Sequence, residues 1–432
     1  MLIFCLVVTA CSTTQPQKIE NVSNSERESN LIEGTWNGAI KVPENPLDII
    51  VKFKQGEKEK VTGTISIPIQ NVEELVLDGV SLEGDKIEFN VSLAGQDIRF
   101  NGSIKGNQIS GTFTQSGLSV PFVLKKSDDS ENPEEKETFL TIETSQGPLY
   151  GSLILPDKKG PVPIALIIPG SGTTDRNGNL SGYPGKNNSL KLLAEGLAGQ
   201  GIASIRYDKR GAGRNVQSMG KEEDMRFDQF ISDAKEWIEK LEKDERFTDI
   251  IVIGHSQGSL VGMIAAKGSA ADAFISIAGA GRPLNEILLE QLKTLPDDLY
   301  KEGQEILNNL NRGKMVEDVS PELASLFRQQ VQPFLISWMQ YSPQQEIRDL
   351  DIPVLIVQGD NDIQVPVMDA KKLKESKLES ESLIIAGMNH VLKEAPEDRK
   401  GNLNTYSNPN LPLAKKLLPG ISNFLQNEVL LD

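Results

Sequence analysis

The chain has 432 residues, a net charge of −16, 38% hydrophobic and 25% charged residues, which is ordinary for a globular protein and, at about 100–200 residues per domain, predicts two or three domains. The acidic balance excludes the basic face that a nucleic-acid binder needs. The two cysteines, Cys5 and Cys11, both stand at the N-terminus, so the body of the chain has no disulfide or thiolate site; the two histidines are too few for a His-rich zinc site, no EF-hand pattern occurs, and no cofactor is implied.

Leu2 to Val8 (LIFCLVV) is an apolar run too short to span a bilayer and of the length of a signal-peptide core. Val8-Thr9-Ala10-Cys11 follows and resembles the lipobox of bacterial lipoproteins. That resemblance implies a signal peptide over 1–11, a lipid anchor on Cys11 and an extracytoplasmic, membrane-anchored protein. The first basic residue is Lys18, a departure from the positive start of a signal peptide. An ordinary signal peptide, giving a secreted or periplasmic protein, is the alternative. Residues 12–30 are polar and aperiodic and read as a flexible tether.

Residues 31–126 carry short alternating runs, among them Leu47–Lys54, Val61–Ile67, Lys86–Leu93, Ile98–Ile104 and Ser119–Leu124. Turn signals such as Glu83-Gly84-Asp85 and Gly106-Asn107 separate them. Period-two runs at this spacing predict an antiparallel β-sandwich or small barrel. Gly34-Thr35-Trp36 resembles the opening of lipocalin-like barrels, which would give the domain a ligand; a structural or substrate-framing accessory is the plainer reading. The acidic, Pro-containing stretch 127–137 is a linker.

From residue 138 to 432 the pattern changes. Strand-like runs at Thr138–Glu143, Tyr150–Leu155, Ile164–Ile168, Ile202–Tyr207, Ile250–Ile253, Ala273–Ala278, Val354–Gln358 and Ser382–Ile385 alternate with helical stretches near 188–199, 227–243, 257–267, 367–376 and 412–427. Near-continuous Val/Ile/Leu runs between helices predict a mostly parallel sheet covered on both faces, with the first two runs as an antiparallel hairpin at its edge. Residues 283–349 interrupt this alternation with Leu/Glu/Lys/Gln-rich helical sequence and no strand pattern, which predicts an inserted helical cap.

The chemistry enters at Gly254-His255-Ser256-Gln257-Gly258, set between the strand Ile250–Ile253 and a helical run from Ser259. This is G-x-S-x-G in a strand–turn–helix context, the nucleophile elbow. A side chain two residues either side of the serine would strike the neighbouring strand or helix, so glycine stands at both places. The helix N-terminus that follows favours developing negative charge on the substrate. A serine hydroxyl needs a base. His255 leaves the turn in a different direction from Ser256, which leaves His390, in the loop after the last strand run. The orienting acid should follow an intermediate strand, and both Asp360 and Asp362 follow Val354–Gln358. One oxyanion N–H should be that of Gln257; the other should come from the loop Pro169–Gly178 after the third strand.

Three stretches carry a resemblance. Gly359–Pro366 resembles the G-x-x-D-x-x-V-P stretch of α/β hydrolases, whose aspartate falls on Asp362. Pro169-Gly170-Ser171 resembles the family's H-G-x loop, with Pro169 in place of histidine, so the second oxyanion donor falls on the Ser171 amide. Asp208-Lys209-Arg210-Gly211-Ala212-Gly213 resembles the D-x-R-G-x-G segment after the fourth strand, which is mainly structural in such enzymes. Residues 138–430 are thus similar to bacterial α/β-hydrolase carboxylesterases of the EstD and serine-aminopeptidase-like group. The resemblance implies an eight-stranded α/β-hydrolase fold with a helical cap, a triad Ser256–His390–Asp362, and hydrolysis of a small-molecule ester through an acyl-enzyme. A peptidase or aminopeptidase shares every one of these motifs; it would also need a cap carboxylate for the substrate's free amine. An acyltransferase differs only in what deacylates the enzyme. A surface binding protein on an inactive scaffold is the reading from another class, and it requires a broken triad.

Overall fold

The computed structural model describes residues 32–43, 45–56, 60–93, 96–127, 137–181 and 185–429. The expected signal peptide and lipobox, the expected tether and all of the expected linker except Ser127 and Glu137 lie outside them. Strands β1 (Gly34–Ile40), β2 (Leu47–Gln55), β3 (Val61–Ile67), β4 (Val72–Val76), β5 (Gly79–Glu83), β6 (Lys86–Leu93), β7 (Gln96–Lys105), β8 (Gln108–Gln115) and β9 (Leu118–Lys126) form one antiparallel sheet in the order β4-β3-β2-β1-β9-β8-β7-β6-β5. The sheet curls into a half-barrel around a single core, so of the two expected forms the barrel-like one is present. Alternation turns one side chain in two inward, and Trp36, Val51, Phe89, Phe100 and Phe122 are fully buried there. Phe89 stacks on Phe100 at 4.5 Å between ring centroids, and Phe122 meets Phe100 edge-on at 5.2 Å. Strands β4, β5 and β8 add to the runs quoted from the sequence. Their alternation is diluted by glutamate, glycine, serine and threonine, which a sheet with one solvated face tolerates.

The second sheet holds β10 (Thr138–Thr144), β11 (Gly147–Ile154), β12 (Val162–Ile168), β13 (Ala203–Tyr207), β14 (Phe247–His255), β15 (Ala273–Ile277), β16 (Val354–Gly359) and β17 (Glu381–Ile385). Its spatial order is β10-β11-β13-β12-β14-β15-β16-β17. Strands β10 and β11 pair antiparallel, β11 pairs antiparallel with β13, and every later pair is parallel. The helices are α1 (Ser189–Ala198), α2 (Phe227–Glu242), α3 (Gln257–Ala266), α4 (Leu284–Leu292), α5 (Asp297–Leu310), α6 (Pro321–Phe327), α7 (Gln332–Trp338), α8 (Pro343–Arg348), α9 (Val367–Ser376), α10 (Arg399–Asn404) and α11 (Leu417–Glu428).

Strand β12 shows why its run is continuously apolar. Ile164, Leu166 and Ile168 face the core under α2 and α3, while Ala165 and Ile167 face the core under α1 and α11. Each fully buried large aliphatic side chain contributes about 1.5–3 kcal/mol of transfer free energy. The last helix starts at Leu417 rather than near 412, because the Ala414 N–H is drawn to the Leu392 carbonyl at 2.8 Å. Helix α10 is an addition; Asp398 caps it by accepting from the Gly401 N–H at 2.8 Å.

Helices α4 to α8 occupy the expected cap region. Leu288, Leu292, Ile306, Leu310, Phe327 and Leu335 build a core of their own there. The cap is fastened to α2 by aromatic contacts, with Trp338 stacked on Phe227 at 5.2 Å and Phe334 edge-on to Phe230 at 5.8 Å. Tyr341 Oη donates to Asp228 at 2.6 Å beside them.

The half-barrel touches the second sheet's domain through the turn before β4. The Gly213 N–H donates to the Asn71 carbonyl at 2.7 Å, and the Glu73 N–H donates back to the Gly213 carbonyl at 3.1 Å. Glu74 pairs with Arg214, and Glu73 pairs with Arg176 at 2.7 Å.

Candidate active site

Strand β14 ends at His255, α3 begins at Gln257, and Ser256 is the single residue between them. Its backbone sits at φ 55°, ψ −121°, a left-handed conformation costly for a residue with a Cβ. The Ser256 N–H donates to the Ile277 carbonyl at 2.9 Å, which ties the turn to the adjacent strand. The flanking glycines have concrete reasons. A Cβ on Gly254 would collide with the Gly258 carbonyl, and one on Gly258 would collide with the Ile168 carbonyl and lie 2.6 Å from that of Pro169. The elbow therefore packs directly on the end of β12 and the loop after it.

That loop is the expected source of an oxyanion donor. Gly170 sits where a Cβ would be 3.3 Å from the Ser256 Cβ. Neither the Ser171 N–H nor the Gln257 N–H donates to any acceptor among the described residues. Two unspent amides beside the serine are what an oxyanion hole requires. The rest of the loop is tightly bound. The Thr174 hydroxyl donates to the Ser171 carbonyl at 2.6 Å. Asp175 is buried, and its carboxylate accepts from the Asn177 and Asn179 amides at 2.9 and 2.8 Å. Burial raises the Asp175 pKa against these hydrogen bonds.

Arg176 is buried and makes ion pairs with Asp208 at 3.0 Å, Glu73 at 2.7 Å and Glu137 at 2.6 Å. Both Asp175 and Arg176 thus spend their side chains on internal partners. Burial pushes Asp208 up to about 6, against the pull of Arg176.

His390 lies in the loop after β17. Its Nδ1–H donates to Asp362 Oδ2 at 2.8 Å. Asp362 follows β16 and is shaped for this task. Its Oδ1 accepts from the Gln364 and Val365 amides at 2.7 and 2.9 Å, and Oδ2 accepts from Gln358 Nε2 at 3.1 Å. Burial opposes the Asp362 charge, but His390 and the backbone amides prevail and hold its carboxyl below the usual range. Asp360 takes a different role: it accepts from the Gly387 N–H at 2.7 Å and braces the loop that carries His390.

His255 Nε2–H donates to the His390 carbonyl at 2.8 Å, with the two ring centroids 5.0 Å apart. The residue next to the serine therefore anchors the backbone of the candidate base. No hydrogen bond joins Ser256 Oγ to His390 Nε2 among the described residues, and neither atom is engaged by another partner. Catalytic hydrogen bonds commonly tighten only with substrate bound. The sequence reading excluded His255 as the base and gave it no other role; the one signal available was a second histidine placed beside the elbow. Gln358 was missed as a support of Asp362, although a glutamine closing the apolar run Val354–Val357 was the clue.

Counted from Thr138, the strand order is 1-2-4-3-5-6-7-8, with a serine elbow after the fifth strand, an acid after the seventh and a histidine after the eighth. Residues 138–429 have the α/β-hydrolase fold. A family model described as serine aminopeptidase, S33, matches residues 180–331 of this chain. That stretch holds the elbow and much of the cap, and ends before Asp362. The esterase EstD of Thermotoga maritima is 28% identical over 291 residues, 66% of this chain and 66% of that protein. Among solved structures, Est1E from Butyrivibrio proteoclasticus with bound ferulic acid has a TM-score of 0.46 at 20% identity, covering 67% of this chain and 99% of that one. The esterase domain of a Rhodothermus marinus protein has a TM-score of 0.43 at 14% identity, covering 68% and 99%. The fold assignment rests on the chain's own strand order and elbow.

Proposed function

We propose that this hydrolase cleaves carboxylic esters through an acyl-enzyme on Ser256. One observation carries the reading: the Asp362–His390 pair at 2.8 Å is held beside the strained Ser256 turn, with His255 as the link. In the proposed cycle Ser256 Oγ attacks the acyl carbonyl while His390 Nε2 takes its proton. His390 then gives that proton to the leaving alcohol. Asp362 fixes the tautomer with the proton on Nδ1 and stabilises the imidazolium. The Ser171 and Gln257 amides receive the negative charge on the carbonyl oxygen. Water repeats the sequence to release the acid. The similarity to EstD supports an ester substrate.

The test is hydrolysis of p-nitrophenyl esters from acetate to palmitate by the full chain, beside Ser256→Ala and a panel of aminoacyl anilides. Turnover on short esters that falls to background in Ser256→Ala is the expected result. The matching family's description favours a second reading, a serine peptidase, and activity confined to the anilides would establish it instead. A folded protein that turns over neither panel and does not react with a fluorophosphonate would overturn both.

We also propose that Cys11 carries a lipid that holds the hydrolase at an extracytoplasmic membrane surface. The sequence Val8-Thr9-Ala10-Cys11 after an apolar run supports this. Among the described residues no helix is long and apolar enough to cross a membrane. Metabolic labelling of expressing cells with an alkyne fatty acid should mark the wild type and not Cys11→Ser.

A further inference from the structure

Lys209 stands in the segment after β13 that the sequence comparison treated as structural. It is buried, and no carboxylate forms an ion pair with it among the described residues. A buried amine without a counter-ion is costly, so where its protons go is informative. Nζ donates to the Gly170 carbonyl at 3.0 Å and to Gln257 Oε1 at 2.6 Å, and sits 4.2 Å from the centre of the Phe230 ring. Those two acceptors belong to the two residues that shape the oxyanion hole. The Gly170 carbonyl shares its peptide plane with the Ser171 N–H. In a trans peptide the two point in opposite directions, so a donor pulling on the carbonyl fixes where the N–H aims and polarises it. The bond to Oε1 likewise fixes the side chain of Gln257, whose amide is the second donor.

We propose that Lys209 is a positioning residue of the oxyanion hole, one amine that ties the Gly170–Ser171 peptide to Gln257 and so sets the spacing of the two catalytic N–H groups. Further bonds hold it at its post: the Lys209 N–H donates to the Thr174 carbonyl at 3.1 Å, and its neighbour Arg210 is locked to Asp233 at 2.5 Å. Burial pushes the Lys209 amine down to about 7, with Asp233 pulling the other way. The tether does not depend on that titration, since the ammonium and the neutral amine both donate two hydrogen bonds. Phe230 also packs on the cap residue Phe334, so the amine touches the elbow, the oxyanion loop and the helix beneath the cap.

This inference rests on the Ser256 esterase reading, and its test separates the two. Lys209→Met keeps the length and removes both hydrogen bonds. Loss of a whole oxyanion donor costs about 100- to 1,000-fold in kcat; loss of its positioning should cost about 10- to 100-fold, with KM within about twofold. A trifluoromethyl ketone, which forms a tetrahedral oxyanion on the serine, should lose affinity in parallel with kcat. A ground-state competitive inhibitor should bind as before. Gln257→Met keeps the catalytic amide and removes one partner of Lys209, so it should lower kcat in the same sense if Lys209→Met does not fold. The double variant should lose less than the product of the single losses, because both act through one unit. Wild-type kcat and ketone affinity in folded Lys209→Met or in Gln257→Met would overturn the proposal while leaving Ser256 in place. Full activity in Ser256→Ala would instead overturn the reading beneath it.

Discussion

His255 is neutral at neutral pH: burial, reinforced by the nearby His390, pushes its pKa down to about 4. An unfolded imidazole titrates near 6.5, so between about 6.5 and 4 the unfolded chain binds a proton that the native one refuses. The stability that His255 contributes is therefore complete above about pH 6.5 and lost as pH falls towards 4, by about 3 kcal/mol in all. Thermal melts of wild type and His255→Gln at pH 7 and pH 4.5 should show a shallower acid loss in the variant; equal slopes would mean the imidazole is not held neutral. The elbow allows an equally sharp test. Gly258→Ala places a methyl group against the Ile168 and Pro169 carbonyls, backbone atoms of a strand end and the loop after it that cannot swing aside. The expected loss is about 3 kcal/mol in chemical denaturation, together with activity. At this scale Ser256, the flanking glycines and His390 were legible because their chemistry leaves few alternatives in a chain with two histidines. The tether from His255 to the His390 carbonyl was not, since it joins residues 135 positions apart.

Among the elements, the loop after β12 depends most on its neighbours. Arg176 is 4% exposed and answers Asp208, which is fully buried, along with Glu73 and Glu137. Removing the guanidinium leaves the Asp208 carboxylate buried and uncompensated. Arg176→Gln should therefore lose about 3–5 kcal/mol, read from urea midpoints. Glu73 is 42% exposed on its side chain, so solvent screens its share of the same cluster. A comparable loss in Glu73→Gln would contradict the ranking by burial. The strands of the second sheet were legible as apolar runs, because both faces are covered and each residue meets one core or the other. The half-barrel was harder to read, since its outward positions carry glycine, threonine and glutamate without penalty.

At the scale of the whole molecule, the half-barrel bears on the loops around Ser256. The two parts share the Asn71–Gly213 and Glu73–Gly213 backbone bonds and the ion pairs Glu73–Arg176 and Glu74–Arg214. Arg176 belongs to the oxyanion loop, and Arg214 follows directly on the segment that holds Lys209. The geometry makes the half-barrel a brace on the loops that form the site. Each of these pairs is partly exposed and is worth about 1 kcal/mol. In Glu73→Ala/Glu74→Ala, calorimetry should show the two domains unfolding at more widely separated temperatures, and kcat should fall several-fold. An unchanged thermogram and unchanged kcat would mean that the half-barrel is only attached to the α/β-hydrolase fold.

The sequence by itself determined the alternation of strands and helices in the second sheet's domain, the elbow, and the residue types gathered there. These are local matters: hydrophobic period, glycine where a Cβ has no room, and one serine, acid and histidine in the order the fold threads them. Only the tertiary structure decided which buried charges answer one another, that His255 holds His390, and that Lys209 joins Gly170 to Gln257. Such contacts are made between residues far apart in the chain, and a buried polar group finds its partner through the packing of whole elements rather than through any pattern along the sequence.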